Sequence, residues 1–198
     1  MAEVLAKEGR LQDAVDKIMV TSILYDLRGE TAQAIQLLTR GSQIAPMDIA
    51  IRSKLIDYYK IQGRTEAALQ QFLDLGNVYY QLAELDMSKQ ALLSGLRLAQ
   101  ESKGMREWIV KLLAKIADID VQRFDWRNAI RMLEQLRTLK PEDSATRAQL
   151  IDLNIKLGQV NMAVSELSAY LSLMENTGRL SEAIRFAKEI NTEHPDQL

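Results

Sequence analysis

The chain has 198 residues, 47% of them hydrophobic and 26% charged, as in an ordinary folded domain. Its net charge of −2, with Lys and Arg interleaved among Asp and Glu, lacks the basic excess that phosphate contacts need, so nucleic acid is not an expected partner. The absence of cysteine excludes disulfides, thiolate metal sites and cysteine nucleophiles, and three prolines and nine glycines leave room for long helices.

The opening residues MAEVLAKEGRLQDAV lack a basic stretch followed by an apolar core, so they do not read as a signal peptide. No uncharged apolar run approaches the ~18 residues of a membrane helix. A cytoplasmic protein with no membrane insertion is expected. AEVLAKEG before Arg10 lines up with LIDYYKIQG before Arg64, so the chain is expected to open partway through a helix. Helical periods then predict Leu11–Leu27, Thr31–Ile44 and Asp48–Gln62, the last two with Ile35, Leu38 and Ile44, and Ile51, Leu55, Ile56 and Tyr59, at helical spacing. Gly29 and Gly63 stand where helix ends favour a left-handed residue. Pro46 falls between helices, where its missing N–H does little harm.

LGNVYYQLAELDMSKQALLSGLRLA, beginning at Leu75, reads as a helix, a break and a second helix. Further on, Gly104–Phe124 and Val160–Asn176 read as long helices, and Pro141 marks a stop and restart between RTLK and EDSA. No alternating apolar run suggests a strand.

The punctuation repeats. Small residues open helices after turns at Ala14, Ala34, Ala68, Ser88, Ala129, Ala163 and Ala183, in steps of 20, 34, 20, 41, 34 and 20. A period of 54 joins Ala14 to Ala68, Tyr25 to Tyr79 and Pro141 to Pro195. Gly9, Gly63, Gly104 and Gly158 divide the chain into segments 9–62, 63–103, 104–157 and 158–198, the second shortened by 13 residues.

Leu75-Gly76-x-x-Tyr79 followed by a small residue, with Ala34 and Pro46, Ala129 and Pro141, and Ala183 and Pro195 each 12 apart, resembles the tetratricopeptide (TPR) repeat. The resemblance covers most of the chain and implies an all-α, right-handed helical-hairpin solenoid of about ten helices. The family period is 34 residues. The 20-residue steps depart from it, and they predict helices that serve as the second helix of one repeat and the first of the next. Thr65–Glu84 is then one helix of roughly 19 residues, about 28 Å long. The alternative is a break near Gly76, since a mid-helix Gly costs about 1 kcal/mol relative to Ala. Stacked hairpins bury what none buries alone. The ends, with no polar capping helix after HPDQL, suggest part of a longer array or a piece that docks end-on, including possible end-on self-association.

Catalytic chemistry finds no constellation. His194, the single histidine, sits beside Pro195 in an expected solvated turn. Asp118, Asp120 and Asp125 read as a charged helix end, because positions two apart do not share a helix face. Phosphate loops and helical metal motifs are absent, and no catalytic, metal or cofactor residue is expected. Trp126 reads as a core residue under its turn, and Trp108 as core or as an exposed contact.

What remains is a groove. In the TPR family the first helix of each pair lines it, and the register carries that role to Ser53, Lys54, Asp57 and Lys60, then to Asn77, Tyr80 and Gln81. Lys111, Lys115 and Asp118 follow, then Gln149 and Asp152. Asn77 occupies the place where some members hold peptide backbone, alongside further Asn, Lys and Arg that clamp a C-terminal carboxylate. Here Lys54, Lys111 and Lys115 supply charge, but a second asparagine is missing. A carboxylate clamp, another peptide groove and a plain solvated surface all stay open. The resemblance implies a non-enzymatic scaffold with a protein or peptide partner; the alternatives are a regulatory helical domain acting within a larger signalling or transcription protein, and a helical enzyme.

Overall fold

The computed structural model describes residues 2–195. Eleven helices occur among them, where about ten were expected: α1 (Ala2–Lys7), α2 (Leu11–Leu27), α3 (Thr31–Ile44), α4 (Ile49–Ile61), α5 (Thr65–Gln81), α6 (Leu85–Glu101), α7 (Arg106–Gln122), α8 (Trp126–Leu139), α9 (Ser144–Lys156), α10 (Val160–Asn176) and α11 (Leu180–Glu193). No strand is found among the described residues. The expected bounds of α2, α3 and α10 match residue for residue. Asp48 and Gln62 are the caps of α4 rather than its first and last turns. α5 runs unbroken through Gly76 but stops at Gln81, short of Glu84.

Eight of the turns share one feature, while α3, α8 and α11 end at residues of negative φ, Ala45, Lys140 and His194. Gly9, Gly29, Gly63, Ala83, Gly104, Phe124, Gly158 and Gly178 all have positive φ, and their successive spacings are 20, 34, 20, 21, 20, 34 and 20 residues. At seven of these turns the next residue's N–H reaches back to a carbonyl five residues earlier, as Arg64 to Tyr59 at 2.9 Å and Glu84 to Tyr79 at 2.9 Å. That bond satisfies a carbonyl otherwise orphaned at the helix end and fixes the turn.

The pattern repeats itself at an offset of 95 residues. Helices of 17, 14, 13 and 17 residues, α2 to α5, recur in the same order as α7 to α10. The details recur too. Asp48 caps α4 by accepting the Ile51 N–H at 2.8 Å, and Asp143 caps α9 by accepting the Thr146 N–H at 2.9 Å. Arg52 donates to the Pro46 carbonyl and Arg147 to the Pro141 carbonyl, so each guanidinium ties down the loop that precedes its own helix.

The chain divides into two compact units, one ending at Leu112 and the other beginning at Leu113, within α7. In the first, α1 packs on α2, α2 on α3, α3 on α4, α4 on α5, and α5 on α6. Its core gathers Ile18, Leu38, Ile51, Leu55 and Tyr58, with a second cluster of Ile56, Leu75 and Ala91. The α5–α6 pair interlocks through two glycines. A Cβ on Gly76 would meet Leu92 at 2.8 Å, and one on Gly95 would meet Phe72 at 3.0 Å. The Ser88 hydroxyl donates to the Gly76 carbonyl at 2.7 Å in the same buried contact. Gly76 therefore sits mid-helix because the backbone of α5 must come close to α6, which outweighs its low helix propensity.

In the second unit α8 packs on α9, α9 on α10, and α10 on α11. Ile151, Met174, Phe186 and Ile190 surround Tyr170, whose ring meets Phe186 edge-on at 4.5 Å. Glu166 is buried on α10 and accepts from Arg137 of α8 and Arg147 of α9. One carboxylate thus ties three helices together.

Candidate functional site

The seven candidates on the α4–α5 hairpin all lie in the first unit. Ser53 and Lys54 are half-buried, and the Lys54 ammonium rests 5.1 Å from the centroid of the Tyr58 ring. Asp57 and Lys60 point to solvent, as do Asn77, Tyr80 and Gln81 on α5. Asn77, Tyr80 and Gln81 share a face because they are three and four residues apart. The Arg52–Asp74 ion pair at 3.3 Å sets the register of the two helices. It places Asp57 and Lys60 toward the opposite end of the hairpin from Gln81. The seven residues are spread along the hairpin rather than meeting at one point.

Among the described residues, Asn77, Gln81, Asp57 and Lys60 make no side-chain hydrogen bond or ion pair. The Tyr58 hydroxyl on α4 is shifted above the ordinary phenol range, first by burial and then by the nearby Asp26 carboxylate.

On α7, Lys111 is exposed with its ammonium 4.9 Å from the Trp108 ring, and Trp108 itself is half-buried. Lys115 and Asp118 are exposed in the second unit. Partial burial raises the Asp118 carboxyl above its usual range, while the Lys115 charge pulls it the other way. The neighbouring Asp120 is fully buried, and Asp125 caps α8 through the Asn128 N–H at 3.4 Å, so the three aspartates are not one charged helix end. Trp126 is the first residue of α8, half-buried, with its ring edge-on to Phe124 at 6.3 Å.

On α9, Gln149 is exposed. Asp152 is engaged: Lys156 donates to it at 2.6 Å and the His194 Nε2 lies 3.8 Å away. His194 is therefore not a solvated turn residue. Its side chain is only 12% exposed, tucked from the end of α11 against α9. Sequence spacing carried no signal for this contact, nor for Glu166, which reads as one more polar position on an amphipathic helix.

The described residues hold no group of three His, Cys, Asp or Glu side chains able to bind a metal, and no helix among them is long and apolar enough to cross a membrane. The arrangement offers exposed polar and aromatic side chains on rigid helices. That suits hydrogen bonding and ion pairing with another molecule.

No protein-family model matches the sequence, and no curated protein is similar to it at the sequence level. Solved structures do resemble it. A putative kinesin light chain of Podosopora anserina with nearly identical TPR-like repeats is 14% identical, with a TM-score of 0.50 over 90% of this chain and 93% of that one. MamA is 15% identical, with a TM-score of 0.46 over 80% of this chain and 96% of its own. Pseudomonas aeruginosa pilF is 14% identical, with a TM-score of 0.42 over 94% of each chain. At these identities the likeness is one of fold: the chain is a TPR-like helical-hairpin solenoid.

Proposed function

We propose that this chain is a non-enzymatic interaction scaffold that takes a peptide or protein segment in a concave groove lined by the α4–α5 hairpin. The observation that carries the reading is the set Asp57, Lys60, Asn77 and Gln81. These polar side chains are exposed on helices and make no hydrogen bond or ion pair among the described residues. Because their backbone is already fixed in helices, binding has only side-chain rotamers left to order, at about 0.5 to 1.5 kcal/mol for each one immobilised. Asn77 offers both a donor and acceptors to a peptide backbone, Tyr80 adds an apolar ring with a polar tip, and Asp57 with Lys60 offers both signs of charge. Such a contact supports roughly micromolar binding, about −8 kcal/mol.

The test is comparative affinity capture from the parent cell. Asn77→Ala with Gln81→Ala is set against a control carrying Gln90→Ala and Gln100→Ala, which are exposed on α6. The reading expects a partner lost by the first variant and kept by the second. Equal recovery by both refutes it.

A further inference from the structure

We draw no further inference here: the strongest candidate, the apolar surface patch of Leu27 and Ile61 at the C-terminal ends of α2 and α4, 79% and 80% exposed and placed before their turns as Gln81 is on α5, continues the face already proposed to bind a partner, and nothing in the structure shows what covers it.

Discussion

Gly76→Ala separates two opposed effects at the heart of the α5–α6 contact. In an exposed helix the change stabilises by about 1 kcal/mol, since Ala is the better helix former. Here the new methyl would lie 2.8 Å from Leu92 Cγ and Cδ2, well inside contact distance. Leu92 is 2% exposed and has no room to swing away. Overpacking of this kind costs about 1 to 3 kcal/mol. Pushing α6 outward also stretches the 2.7 Å bond from Ser88 to the Gly76 carbonyl, which is worth about 1 kcal/mol. The sum is a net loss of about 1 to 3 kcal/mol, read as a lower urea midpoint with unchanged slope. Adding Leu92→Ala should then cost less in the Gly76→Ala background than in the wild type, because the new methyl fills part of the space vacated. A stabilised Gly76→Ala, or additive effects of the two changes, would refute the close-approach argument.

Glu166→Gln removes the anion between Arg137 and Arg147 and leaves the buried Arg147 without a counter-charge, so thermal and urea unfolding should report a loss of about 3 to 5 kcal/mol. Ala83→Gly relieves a left-handed conformation that a Cβ disfavours and should raise the urea midpoint, by a gain of about 0.5 to 1 kcal/mol after the larger unfolded-state entropy of Gly is deducted. Tyr58 has a folded pKa above its unfolded value near 10, so its contribution is complete below that pH and is lost as the pH rises through the folded value. An alkaline titration of circular dichroism should therefore find Tyr58→Phe holding its fold to higher pH than the wild type; identical alkaline midpoints would count against that reading.

The helix boundaries were legible because the stops are chemical. A residue of positive φ and a back-bonded N–H end most helices, and Gly supplies that residue at six of the eight positions, so turn residues place both ends of α2 and α10 and the start of α3, whose end falls just before Pro46. The two exceptions hide the order that they obey. Ala83 and Phe124 adopt the same conformation at a steric cost, and without them the chain shows a step of 41 where the structure has turns 21 and 20 apart. The candidate residues on α4 and α5 came from the register that the TPR resemblance implies. Their spread along the hairpin depends on the Arg52–Asp74 register, which joins residues 22 apart in sequence. The same limit applies to His194 and Glu166. Both look like surface residues locally and are covered only by helices distant in the chain.

The claim that the α4–α5 surface is a binding face is tested most directly by photocrosslinking in the parent cell, with a crosslinking amino acid placed at Asn77, at Gln81 or at Arg97, which is exposed on α6. The account predicts the same discrete adduct, this chain joined to one other polypeptide, from positions 77 and 81 and none from 97. Adducts of equal yield from all three positions, or none from 77 and 81, would contradict it.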